Sequence, residues 1–68
     1  MSTVKIVELI GTSTKSWEDA ASNAIKGAAE TIKGITGLEV SAQTAKVKDD
    51  KIVEYRTTVK IAFLVDRN

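Results

Sequence analysis

The chain contains no cysteine and no histidine. Disulfides, thiolate centres and the usual zinc sites are therefore excluded. So is any mechanism built on a histidine base or a cysteine nucleophile. Hard cations such as calcium or magnesium stay open, because they need only oxygen ligands. An excess of one charge is also lacking: 10 basic residues stand against 9 acidic ones, for a net charge of +1. The basic side chains are scattered among the acids and not gathered on one face, which argues against nucleic acid as a partner. No apolar run approaches the roughly 20 residues of a membrane span. The opening MSTVKIVELI is short and broken by Glu8, which does not read as a signal peptide. The expectation is a soluble cytoplasmic protein.

With 68 residues the chain has room for one domain, read here as 1–68. A chain below roughly 70 residues rarely stabilises itself with a single core. Disulfide staples being excluded, self-association is the expected remedy.

Residues 3–10, TVKIVELI, read as a strand that is apolar on both faces, with Val4, Ile6 and Ile10 on one and Val7 and Leu9 on the other. Gly11, Thr12 and Ser13 are expected to break it. Residues 16–33 read as a helix. Ser16 is the N-cap, with Asp19 in the capping-box position, and Trp17, Ala20, Ala21, Ala24, Ile25, Ala28 and Ile32 form one apolar stripe. Gly34 is placed to end it. Residues 38–47 alternate as a half-buried strand. Leu38, Val40 and Ala42 are expected on one side and Glu39, Ser41 and Gln43 on the other, with a phase shift after Thr44 that suggests a bulge. KDDK at 48–51 is a hairpin reversal with Asp49 and Asp50 at its tip. Residues 52–65 form the longest strand, with Val53, Tyr55, Thr57, Val59, Ile61, Phe63 and Val65 on one face.

The order β-α-β-β predicts an α+β fold: a three-stranded sheet of order 1-3-2, with the first and second strands parallel through a right-handed helical crossover. The helix covers one face. A 14-residue strand spans roughly 45 Å at about 3.3 Å per residue, longer than the roughly 30 Å diameter of a compact globule of this size. The last strand should project. Apolar residues on the uncovered face, for which Val7, Leu9, Ala62 and Leu64 are the expectation, then need another subunit.

The residues that carry chemistry are few. Asp49 and Asp50 at the hairpin tip are candidate cation ligands, although adjacent acids without the spaced ligands of a calcium loop read first as a solvated turn. Glu39 faces away from the helix, where it could line a wet interior. Arg56 lies beside Glu54 and Thr58 on a polar strand face, placed for an ion pair or for an anionic ligand. Trp17 belongs to the apolar stripe and reads as core. The GTS at 11–13 precedes a helix but has no glycine repeat, so it reads as turn and cap. No pair of carboxylates is placed for acid–base work, and no enzyme activity is expected.

VELIGTSTKSWEDAASNAI, TIKGITGLEV and VEYRTTVKIAFLV together resemble the dodecins, small β-α-β-β proteins that assemble twelve subunits into a hollow shell. The most specific parts are ELIGTS, the LEV opening of the second strand, and EYR-x-x-V-x-I-x-F in the third. The resemblance implies a homododecamer that binds or stores a small ligand. Many dodecins stack flavins between aromatic side chains of twofold-related subunits, so a flavin of the FMN or riboflavin type is the implied ligand. The family's flavin-site tryptophan falls at Gly37 and its glutamine at Arg56, so this sequence lacks the stacking platform. Some dodecins hold metal ions at symmetry axes. The alternative is thus a flavin-independent dodecin that binds a divalent cation such as calcium, or acts as a sequestering shell, with Glu39, Asp49 and Asp50 as candidate ligands.

Overall fold

Three strands and one helix follow the expected order in the computed structural model, which describes residues 3–65. The expected domain 1–68 also takes in residues 1–2 and 66–68, which lie outside the described residues. Strand β1 is Thr3–Ser13, helix α1 is Trp17–Ala29, β2 is Ile35–Lys48 and β3 is Lys51–Val65. The sheet order is β1-β3-β2, and both outer strands pair antiparallel to β3, so β1 and β2 run parallel.

Ser16 caps α1 as its sequence suggests. Its backbone is extended, and its hydroxyl accepts from the Asp19 N–H at 3.0 Å. The Asp19 carboxylate does not return to Ser16. It accepts from the buried Ser13 hydroxyl at 2.7 Å, and Ser13 Oγ in turn accepts from the Lys15 N–H at 2.9 Å. The GTS segment therefore does not break β1; it is the last part of the strand, tied to the helix start. Gly11 marks the closest approach of the two elements: a Cβ added there would lie 2.0 Å from the Ala20 carbonyl oxygen.

The helix ends at Ala29, short of the expected Lys33. The N–H groups of Thr31 and Ile32 both donate to the Ala28 carbonyl, at 3.1 and 2.8 Å, which tightens the last turn. The chain must already be turning, because Gly34, at φ +78°, accepts at its carbonyl from the Leu64 N–H and Ile35 pairs with Phe63. A helix running to Lys33 would leave no length for that return.

The core of one chain is small. Ala20, Ala24, Ala28, Val59 and Ile61 are its buried apolar residues, with Val7, Leu9, Ala21, Ile25, Ile32 and Ile35 packed around it. This corrects the expected facing of β1: Val7 and Leu9, opposite Ile61 and Val59, meet the helix, and Val4, Ile6 and Ile10 are the uncovered set, exposed with Leu64. A second correction concerns β2. Its register slips between Val40 and Ala42, earlier than expected, so Ala42 stands opposite Thr58 on the uncovered face while Gln43 stands opposite Thr57 on the helix face.

The molecule measures 54 × 20 × 13 Å, with a radius of gyration of 14.0 Å, against about 11 Å for a compact chain of this length. It exposes 5061 Å². The usual scaling with mass gives about 4,200 Å², a surplus of roughly 900 Å². The hairpin projects because nothing within one chain can pack on it.

Candidate functional site on the uncovered sheet face

Residues directly opposite one another in a sheet share a face, so the register lays out the uncovered face as cross-strand rows. At one end Val4 faces Leu64, and Ile6, Ala62 and Gly37 form the next row. Glu8, Lys60 and Glu39 follow in a single row, with the lysine flanked on both sides by a carboxylate residue. Beyond Ile10, Thr58 and Ala42 come Thr12, Arg56 and Thr44, then Glu54 and Lys46 toward the hairpin. The face thus runs from apolar to charged to hydroxyl-bearing along its length.

Arg56 forms the ion pair its sequence position suggested. Its Nε lies 3.1 Å from Glu54 Oε1, and with side chains 48% and 31% exposed the pair is well solvated. Such a pair is worth about 0–1 kcal/mol, so an anionic ligand could displace the glutamate at little cost. The structure does not bring Arg56 and Gly37 together. Their rows are six residues apart along β3, roughly 20 Å, so one site could use both only with residues from different copies. Gly37 has room: a Cβ added there meets no atom within 4 Å.

Trp17 sits on the opposite side of the sheet from Gly37. Its indole packs edge-on against Tyr55, with centroids 4.8 Å apart, and its Nε1 donates to the Thr44 carbonyl at 2.7 Å. It is a packing residue, as expected.

The candidate cation ligands are separate too. Glu39 lies mid-sheet, while Asp49 and Asp50 occupy the hairpin tip, ten residues or roughly 33 Å further along β2. Both aspartates have left-handed backbones, at φ 53° and 64°, as a two-residue type I′ turn requires. Among the described residues no three acidic side chains come together to hold an ion. Glu8 was not singled out from the sequence. Only the register, which sets it across Lys60 from Glu39, makes it a candidate; its alternating position within an apolar strand was the available signal.

Comparison with known proteins agrees with this architecture. The dodecin family model matches residues 3–66. Calcium dodecin from Mycobacterium tuberculosis is 33% identical over 63 residues, covering 93% of this chain and 89% of that protein. Its crystal structure, described as that of a calcium-chelating antigen with a novel calcium-binding site, superposes with a TM-score of 0.81 at 32% identity, covering 91% and 89% of the two chains. The dodecin from Streptomyces davaonensis superposes with a TM-score of 0.94 at 26% identity, covering 97% of each chain. An α+β fold with one helix over a 1-3-2 sheet, and an uncovered face rich in exposed aliphatic residues, define a small self-associating protein. The chain belongs to the dodecin family. It is accordingly a self-associating, non-catalytic binder of small ligands. No helix among the described residues is long and apolar enough to cross a membrane.

Proposed function

We propose that the chain assembles into a closed homododecameric shell and binds a divalent cation, calcium first, through carboxylates contributed by more than one copy. The similarity to calcium dodecin carries this reading. Calcium takes six to eight oxygen ligands, and one chain gathers no three acidic side chains among its described residues, so a site rich in carboxylates would draw them from more than one copy. Glu39 is the first candidate ligand and Glu8 the second, because both stand on the face that another copy must cover. Asp49 and Asp50 are the alternative pair; Lys48 and Lys51 stand beside them, as Lys60 stands between Glu8 and Glu39.

A flavin of the FMN or riboflavin type is less well supported. Gly37 offers no ring on which to stack, and an aromatic pair there would supply roughly 0.5–1.5 kcal/mol beyond its buried area. Arg56 places a permanent cation in the position of the family's neutral amide.

Thermal melting with calcium, with magnesium and with chelator tests the proposal. Calcium should raise the midpoint, chelator should reverse the rise, and Glu39→Gln should shrink it. Riboflavin fluorescence should be unchanged by micromolar protein. A melting point indifferent to calcium, with riboflavin quenched, would exchange the two readings.

A further inference from the structure

Arg56 stands at the centre of a row on the uncovered face, with Thr12 of β1 on one side and Thr44 of β2 on the other. Thr58 lies two residues along β3 on the same face, roughly 7 Å away. Cross-strand neighbours are about 5 Å apart, so three hydroxyl side chains surround one guanidinium. Both flanking threonines are anchored through their backbones. The Thr12 carbonyl accepts from Asn23 Nδ2 at 2.9 Å, and the Thr44 carbonyl accepts from Trp17 Nε1 at 2.7 Å. Among the described residues the hydroxyls of Thr12, Thr44 and Thr58 have no partner, whereas those of Thr36 and Thr57 do. Of the guanidinium only Nε is engaged, by Glu54 at 3.1 Å, which leaves both Nη groups uncommitted.

We propose that Arg56 and the hydroxyls of Thr12, Thr44 and Thr58 form an anion site that takes a phosphate group, either free or carried by a small organic molecule. The guanidinium fork matches an oxyanion with parallel N–H donors, and each hydroxyl adds one more donor. Glu54, the carboxylate beside the site, does not block it. Its pair with Arg56 is solvated, and Lys46 stands directly opposite Glu54 on β2. The glutamate thus has a second cation to turn to when a phosphate takes Arg56. The next charged row, Glu8, Lys60 and Glu39, is four residues along β3, roughly 13 Å away and beyond the Debye length of about 8 Å. Between the two rows Ile10 and Ala42 flank Thr58, an apolar strip on which the organic part of a phosphate ester would lie. The site shares no residue with the proposed cation ligands and stands apart from that reading.

Phosphorus NMR of inorganic phosphate, and separately of phenyl phosphate, titrated with the whole protein tests this. The protein is first stripped of metal on a chelating resin, so the result does not depend on any cation site, and chloride holds the ionic strength constant. The phosphorus line should broaden on binding. Arg56→Gln should weaken binding by about tenfold or more. Glu54→Gln, which removes the competitor, should tighten it by up to about fivefold. Lys26→Gln, which removes one positive charge from the exposed side of α1, should leave it unchanged. Circular dichroism checks that each variant folds. Tighter binding of phenyl phosphate than of phosphate would assign the site to phosphate esters, and equal binding would assign it to the free ion. No broadening with wild type, equal affinity in wild type and R56Q, or a loss in K26Q as large as that in R56Q, would overturn the proposal.

Discussion

The indole Nε1 of Trp17 donates to the backbone carbonyl of Thr44 at 2.7 Å, binding the first turn of α1 to the strand that the helix otherwise hardly touches. On the same turn the buried Thr57 hydroxyl donates to the Trp17 carbonyl at 2.8 Å. Trp17 thus links the helix to both strands of the hairpin. Trp17→Phe keeps the ring against Tyr55 but loses the donor, and should destabilise the fold by about 0.5–1.5 kcal/mol. Denaturant titration followed by circular dichroism measures this; an unchanged midpoint would mean that water replaces the bond without loss.

Gly11 tolerates no side chain. Its added Cβ would lie 2.0 Å from a backbone oxygen and 2.9 Å from the Ala24 Cβ, and backbone cannot rotate aside as a flexible side chain can. Gly11→Ala should push α1 off β1 and cost about 1–3 kcal/mol or more, read as a lower melting midpoint. Gly27→Ala, in open space, should leave stability equal or higher, since alanine favours a helix by about 1 kcal/mol over glycine.

The hairpin tip offers a change in the other direction. Asp49 and Asp50 hold left-handed backbones, a conformation that costs most L-residues roughly 1–2 kcal/mol and aspartate somewhat less. Replacing the pair with Asn-Gly should stabilise the chain by about 0.5–1 kcal/mol. The same variant removes both tip carboxylates. With Glu39 as a cation ligand, its calcium response in thermal melting should persist; loss of that response would move the site to the tip.

Much of this was legible in the sequence, and the limits have physical causes. Period-2 and period-3.6 patterns fixed the element order, and the crossover rule fixed the strand order. A strand apolar on both faces carries no sign of which face meets the helix, so the pattern does not tell Val7 and Leu9 from Val4, Ile6 and Ile10. The end of α1 depended on the Gly34 return to Leu64, a pairing between distant parts of the chain. The slip at Val40/Ala42 reversed Gln43 because one extra residue inverts every later side chain. The Glu8–Lys60–Glu39 row was hidden for the same reason: it exists only once the register is known. The candidate site residues were individually visible, but their separation along the sheet was not.

Flavin binding can be tested by restoring what the family pattern has. Gly37→Trp fits, as nothing lies near its Cβ, and Arg56→Gln gives back the neutral amide. The double variant should quench riboflavin fluorescence at concentrations where the wild type does not, by about five- to 100-fold in affinity if two stacking contacts of roughly 0.5–1.5 kcal/mol are regained. An unaltered titration would mean that these two positions do not correspond to the family's flavin site.

The most direct measurement is the mass of the folded protein in dilute solution, by light scattering on a size-exclusion column with circular dichroism on the same sample. One chain of 7.3 kDa leaves Val4, Ile6, Ile10, Leu38, Val40 and Leu64 exposed, and the account predicts a particle of twelve such chains with no folded monomer beside it. A folded species of 7.3 kDa at micromolar concentration would contradict it.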